Sequence, residues 1–330
     1  MTQTTRIAIN GFGRIGRTIL RQLLTSRADA GVEVVLVNDI ADLETCAYLF
    51  AYDSVFGVFP QPVVQQKQSL TIGKTDIPFT HVSDISTLNL ANVDVVLECT
   101  GHANTPQIAH HGIDAGARQV LISGPSEAAE VTVVLGANDA ALGDAQIVSN
   151  GSCTTNALAP IMRILHDALH VEAAHMTTIH CYTSSQPIID TPRANLARSR
   201  AGALSMVPTT TSATKLVKQV LPELKGQLTG AAVRVPMASV SAIDLTAKVR
   251  NQTDIQALHK LIDGANQSLI GAIDQPLVST DLRGRPESLI VALPETMMQT
   301  PHDFRLFGWY DNEWGFSARM IDMAIRMAGR

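Results

Sequence analysis

Positive charge is scarce in this chain. Across 330 residues, 25 Lys and Arg stand against 30 Asp and Glu, a formal net charge of −5. That leaves no electrostatic footprint for nucleic acid or for an anionic membrane surface. Any anion bound here has to be met by a local cluster of donors. Long apolar runs are missing as well: none approaches the roughly 20 residues that span a bilayer. The opening MTQTTRIAIN has no charged stretch followed by an apolar one, so no secretory signal is expected. Cysteine is sparse, and Cys46, Cys99, Cys153 and Cys181 form neither a CxxC pair nor a metal-finger spacing. No metal site is expected, and scattered free thiols point to a reducing compartment, the cytoplasm. There is no internal repeat and no low-complexity linker.

What is present suits a well-filled interior: 45% of residues are hydrophobic and 17% charged. The length suits two domains. Over the first 150 residues short apolar runs alternate with helix-compatible stretches. The runs are Arg6–Asn10, Val34–Asn38, Asp94–Cys99, Gln119–Ser123 and Gln146–Ser149. Such alternation predicts an α/β, doubly wound parallel sheet with helices on both faces. The second half reads differently. Ile243, Leu245, Ala247 and Val249 alternate with polar residues, and Phe304–Tyr310 is a similar run, both half-buried strands of antiparallel type. Between them Ile255, Leu258, Ile262, Ala265 and Leu269 keep a helical spacing. A separate α+β domain with a mainly antiparallel sheet follows. Phe316, Met320, Met323 and Met327 form one helical stripe, the mark of a core-facing helix.

Two motifs carry chemistry. Asn10 is followed by Gly11-Phe12-Gly13-Arg14-Ile15-Gly16, a GxGxxG that leaves a strand and opens a helix. Its glycines allow a tight turn, backbone approach to a pyrophosphate and close helix–strand packing. A second strand ends at Asp39, where a carboxylate would bond the adenosine ribose hydroxyls and repel a 2′-phosphate, favouring NAD over NADP. Thr100, Gly101 and Ser123, at the ends of later strands, join the expected cofactor set.

The second motif is Ser149-Asn-Gly-Ser152-Cys153-Thr154-Thr-Asn. Here a strand ends and helical periodicity begins at the cysteine. A helix N-terminus stabilises a thiolate and lowers its pKa, and its free amides can hold an oxyanion. Pro160 lies inside this helix and predicts a local kink. A thiolate needs a base. Ten histidines are candidates, and His180 differs in sitting on the strand Met176–Tyr182 just before a polar loop.

SNGSCTTNALAP, TTIHCYT, RVP and WYDNEWGFS, in this order behind INGFGRIGR, resemble phosphorylating glyceraldehyde-3-phosphate dehydrogenases and their relatives, the erythrose-4-phosphate dehydrogenases. The resemblance covers nearly the whole chain. It implies a Rossmann NAD-binding domain (1–152 with 317–330) and a catalytic domain (153–316), assembled as a homotetramer. It further implies oxidation of a small phosphorylated aldehyde, glyceraldehyde 3-phosphate, with NAD and inorganic phosphate, the glycolytic and gluconeogenic step. Cys153 would carry the thiohemiacetal and thioester, with His180 as base. Asn312 would bond the nicotinamide carboxamide. Thr183, with Ser185 beside it, and Arg234 would hold the substrate's phosphate. Ser152, Thr154, Thr211 and Arg198 would serve the attacking phosphate.

The chain departs from the family pattern in places. Ala157 replaces a second cysteine, Ser212 a glycine beside the phosphate site, and Pro187 a basic residue of the substrate loop. Ala103 falls where an aromatic residue commonly packs on adenine, a change expected to weaken NAD binding by about 1 kcal/mol or more. Phe316 follows the erythrose-4-phosphate branch, whereas Tyr182–Gln186 and Pro208–Thr211 follow the glyceraldehyde-3-phosphate pattern. Glyceraldehyde 3-phosphate is therefore the expected substrate. Erythrose 4-phosphate with hydrolytic release is the nearest alternative, and a binding or regulatory homologue with little turnover is the remaining one.

Overall fold

The computed structural model describes residues 4–329. Within them the chain divides into two compact units, one of 4–133, 140–151 and 317–329, the other of 134–139 and 152–316.

In the first unit the short apolar runs become strands of a nine-stranded sheet. They are β1 (Thr5–Asn10), β2 (Val32–Asn38), β3 (Val63–Gln65), β4 (Ser69–Ile72), β5 (Thr75–Thr80), β6 (Val95–Glu98), β7 (Gln119–Ile122), β8 (Val131–Thr132) and β9 (Ile147–Ser149). Their order is β8-β9-β7-β6-β1-β2-β5-β4-β3. Pairing is parallel from β8 through β5. All four residues of β6 are buried, as expected for a central parallel strand. Helices α1 (Arg14–Leu23), α2 (Leu43–Ala51) and α3 (Pro106–Asp114) belong to the same unit.

The edge differs from expectation. β3, β4 and β5 run antiparallel as a meander that the alternation of strand and helix signals did not reveal. Its strands bury one face only, through Leu70, Ile72, Ile77 and Phe79, so they lack continuous apolar runs. Strand order reverses around β1, with β2 on one side and β6 on the other. The carboxyl ends of these three strands therefore open a crevice, the usual seat of a ligand in such sheets.

The second unit holds β10 (Val171–Cys181), β11 (Val207–Thr209), β12 (Leu228–Val235), β13 (Ser241–Val249), β14 (Ile270–Ile273), β15 (Leu289–Ala292), β16 (Met297–Thr300) and β17 (Asp303–Tyr310). The sheet order is β11-β12-β10-β13-β17-β15-β14, with β16 also on β17. Pairing is antiparallel except for β10 with β12 and β14 with β15. The alternation read from the sequence is real: along β17 every second residue from Phe304 to Tyr310 is buried. Helix α4 (Cys153–Leu169) packs on this sheet against β10, β13 and β15. It runs unbroken through Pro160. Helices α5 (Ala213–Val220) and α6 (Ile255–Asp263) complete the unit.

Helix α6 stops six residues before the periodic pattern does. Its turns close at Gly264, and Leu269 is buried as the lead-in to β14 rather than as a helical residue. Residues 134–139, expected with the first half, pack in the second unit: Gly136 lies against Pro160 and Leu269, and Arg163 Nε bonds the Ala137 carbonyl at 3.2 Å. Helix α7 (Trp314–Met327) buries Phe316, Met320, Met323 and Met327 as their stripe predicted. Its residues from 317 onward belong to the first unit, where Arg27 pairs with Asp322 at 2.6 Å.

Gly16 shows how tightly α1 meets β1. A Cβ there would collide with the Gly11 carbonyl oxygen and lie 3.1 Å from Ile9 Cγ2. Gly16→Ala should therefore cost about 2 kcal/mol, the usual scale of overpacking. A thermal unfolding midpoint equal to that of the wild type would contradict the close approach.

Candidate active site

The first unit offers a cleft of about 510 Å³ at the sheet's switch point, lined by Asn10, Gly11, Gly13, Asn38, Asp39, Glu98, Cys99, Thr100, His102, Ile108 and His111, among others. Gly11 has φ +93°, and a Cβ on it would meet Thr100 N at 2.6 Å. Only glycine fits there. Nothing lies within 4 Å of a Cβ built on Gly13, so backbone is bare toward the cleft where a pyrophosphate would approach. One Asp39 oxygen accepts from Phe12 N at 2.6 Å and the other from Ala41 N at 2.9 Å. These bonds tie the ribose-side carboxylate to the Gly-rich turn.

Not every expected cofactor residue faces the cleft. Phe12 is a core side chain between Phe50 and Phe79. Arg14 pairs with Asp53 at 2.5 Å and lies over Phe56. Ile15 and Gly16 belong to α1. Gly101 is exposed, and Ser123 joins Glu98 through its backbone N–H at 2.9 Å. Ala103 is 2% exposed within the apolar core. It does not present itself to the cleft, so the expected loss of adenine packing at this position does not apply.

Sequence reasoning missed Asn38 and Glu98. The buried Glu98 carboxylate accepts from Asn10 Nδ2 (2.5 Å), Thr100 N (2.9 Å) and the Thr100 hydroxyl. Asn38 Nδ2 donates to Asn10 Oδ1 at 2.8 Å. The available signal was polar residues at the ends of adjacent apolar strands.

A second cavity, about 310 Å³, lies wholly in the second unit. It gathers Ser152, Cys153, Thr154, Thr178, His180, Arg198, Thr210, Thr211, Ser212, Ala232 and Arg234. Seven of these residues were expected from the sequence. Ser152 caps α4 by accepting from Thr155 N at 3.1 Å. Cys153 is thereby the first residue of the helix, and His180 comes from the end of β10. Cys153 Sγ and His180 Nε2 are 3.5 Å apart.

Arg234, from β12, sits behind the imidazole. Its Nη1 donates to His180 Nδ1 at 2.7 Å and to the Cys181 carbonyl at 2.9 Å. Nδ1 also lies 2.8 Å from the Cys181 carbonyl: donation by Arg234 places the ring proton on Nε2, facing the sulfur, whereas donation to the carbonyl leaves Nε2 free to accept. Burial, and then the Arg234 charge, lower the His180 pKa to about 4. The thiol departs from expectation. Burial pushes Cys153 up, and this outweighs Arg234 and the backbone N–H groups at the helix start, which pull it down. The pair is neutral on neutral.

Among the remaining expected anion ligands, Arg198 Nε bonds Thr209 Oγ1 at 2.8 Å, and Thr211 Oγ1 accepts from Ala213 N at 3.1 Å at the start of α5. Thr183 and Ser185 do not line this cavity. They form a turn around Gln186, whose Oε1 accepts from Thr183 N at 2.9 Å and from both hydroxyls. Asn312 follows β17 and is buried, its Oδ1 accepting from Cys181 Sγ (3.1 Å) and Ser241 Oγ (3.4 Å). Among the described residues no group of His, Cys, Asp and Glu could hold a metal, and no helix is long and apolar enough to cross a membrane.

Comparison with known proteins shows the family. Residues 5–106 match the family profile "Glyceraldehyde 3-phosphate dehydrogenase, NAD binding domain" and residues 152–312 the corresponding C-terminal domain. Relatives named glyceraldehyde-3-phosphate dehydrogenase occur in Cereibacter sphaeroides (43% identical over 330 residues), Xanthobacter flavus (44% over 332) and Pseudomonas aeruginosa (43% over 330), and each alignment covers 98% of both chains. The N-terminal Rossmann domain is an NAD-binding domain, and NAD is the cofactor.

The His180 environment has a measurable consequence. With its pKa at about 4 in the fold against 6.5 ordinarily, the unfolded chain binds more protons between these values. Stability should thus fall as pH drops through this window, by at most about 3 kcal/mol. In His180→Gln that part of the decline should vanish. Urea unfolding across the window, giving parallel profiles for the two proteins, would refute it.

Proposed function

The chain belongs to the glyceraldehyde-3-phosphate dehydrogenase family of NAD oxidoreductases, and we propose that it oxidises glyceraldehyde 3-phosphate to an acyl phosphate with inorganic phosphate as acceptor. The observation that carries this reading is the 3.5 Å contact of Cys153 Sγ with His180 Nε2 inside a cavity lined by hydroxyls and two guanidiniums.

The sulfur attacks the aldehyde carbon as its proton passes to His180. A C–S bond forms and the carbonyl pair moves to oxygen, with the amides at the start of α4 beside it. Nε2 can accept a proton once Arg234 turns from Nδ1 to the substrate's phosphate. Nδ1, 2.8 Å from the Cys181 carbonyl, then carries the ring's other proton. NAD would supply the hydride acceptor for this carbon, and Asn10, Gly11, Gly13, Asp39 and Thr100 would hold it. His180 first returns its proton to the former carbonyl oxygen, making the thiohemiacetal hydroxyl, and takes it back as the thioester forms. A phosphate oxygen then attacks the acyl carbon, the C–S bond breaks and the thiolate returns.

Ser152, Thr154, Thr211 and Arg198 serve the attacking phosphate, and Thr183, Ser185 and Arg234 the substrate's own. In a chain of net negative charge such a cluster is what a dianion requires. Of the Gly-rich turn, Gly11 and Gly13 line the NAD cleft, together with Asn10, Asp39 and Thr100. Asn312 is assigned to the nicotinamide carboxamide. A homotetramer in the cytoplasm is the proposed state. In support, Ile188, Ile189, Leu196, Leu204 and Met206 are each more than 70% exposed on one loop region of the second unit, apolar surface that other subunits would cover.

NADH formation from NAD and glyceraldehyde 3-phosphate should require phosphate or arsenate, and Cys153→Ser should abolish it. Undiminished activity in that variant would reject the mechanism. Faster turnover of erythrose 4-phosphate, independent of phosphate, would assign the chain to the hydrolytic branch instead.

A further inference from the structure

Three buried hydroxyls below the nucleophile form a line whose proton order the geometry determines. Thr178 Oγ1 is 3.0 Å from the Ala242 carbonyl oxygen. That oxygen only accepts, so Thr178 donates its single proton there. Tyr310 Oη is 2.8 Å from Thr178 Oγ1, and the proton this contact needs must come from Tyr310. Thr154 Oγ1 is 2.8 Å from Tyr310 Oη, and by the same count Thr154 supplies that proton. The order therefore runs from Thr154 to Tyr310 to Thr178 to the backbone of β13. Thr154, Tyr310 and Thr178 are 4%, 1% and 1% exposed, so bulk solvent does not compete for these bonds. Burial also raises the Tyr310 phenol, which keeps its proton.

Thr154 has a second face. It lines the cavity that holds Cys153, Arg198 and Arg234, with its oxygen 4.0 Å from Cys153 Sγ. With its proton directed inward, it meets that cavity with lone pairs alone.

We infer that Tyr310 is a positioning residue that turns Thr154 into an acceptor, making the anion cavity selective for an oxyanion that carries a proton. This rests on reading the cavity as the inorganic-phosphate site. Hydrogenphosphate or hydrogenarsenate can place its hydroxyl on Thr154 while its ionised oxygens face the guanidiniums. Sulfate has no proton to give, and it sets a charged oxygen against the Thr154 lone pairs.

The test is protection of Cys153 from iodoacetamide by inorganic phosphate and by sulfate, at a mildly alkaline pH where both are dianions. The wild type should bind phosphate at least about tenfold more tightly than sulfate, the scale of one hydrogen bond made or opposed. Tyr310→Phe keeps the ring that packs edge-on against His180 at 6.0 Å and frees the Thr154 proton to turn toward the cavity. The phosphate-to-sulfate preference should fall about tenfold. Thr178→Val should act in the same direction without touching Tyr310, and Thr178→Ser should restore the preference. A preference unchanged in both folded variants, or absent from the wild type, overturns the inference and leaves the phosphate site standing. A wild type that binds neither anion rejects the phosphate site itself.

Discussion

The second unit is organised around one constraint: the sulfur of Cys153 has to meet the imidazole of His180, although 27 residues separate them. Ser152 solves half of the problem by capping α4, which makes Cys153 the first helical residue. The register of β10 solves the other half by ending that strand at Cys181, with His180 facing α4. Neither element could shift by one residue without separating the pair. A helix turns side chains by about 100° per residue, and a strand sends successive ones to opposite faces. The buried face of the sheet under α4 is thus part of the chemistry, because it fixes where the helix begins.

Electrostatics follows from the same burial. An acidic chain binds anions only where donors are concentrated, and here Arg198 and Arg234 share one cavity with several hydroxyls. The enclosure that concentrates them also disfavours charge on the nucleophile and its partner. A neutral pair at rest, in a pocket built for dianions, follows from low polarity, which at the sulfur outweighs the opposing pull of Arg234.

Much of this was legible in the residues. The glycines at 11, 13 and 16 each imply a distinct steric demand, and the structure shows a left-handed turn, bare backbone and close packing respectively. The start of α4 was readable because a helix cap and the onset of apolar periodicity fall side by side. The edge meander was not readable, since strands with one buried face leave only short and interrupted patterns. Helix α6 was read too long because Leu269, a strand lead-in, sits by coincidence at helical spacing. The helix-start argument for Cys153 left out the opposing effect of burial, because a local dipole carries no information about how much protein surrounds the sulfur. Arg234 behind His180 and the Tyr310 line were beyond reach for a related reason. They depend on which strands become neighbours, and β10 lies between β12 and β13, both later in the chain.

Helix α7 has a consequence for how the polypeptide matures. All nine strands of the first unit's sheet are synthesised within the first 149 residues, yet its last helix leaves the ribosome only after the whole second unit. Met320, Met323 and Ala324 are fully buried in the finished protein. Until they arrive, the apolar surface they cover stands open to water through the whole synthesis of the second unit. The early unit therefore waits, incomplete and prone to association, for a closing piece encoded on the far side of its neighbour.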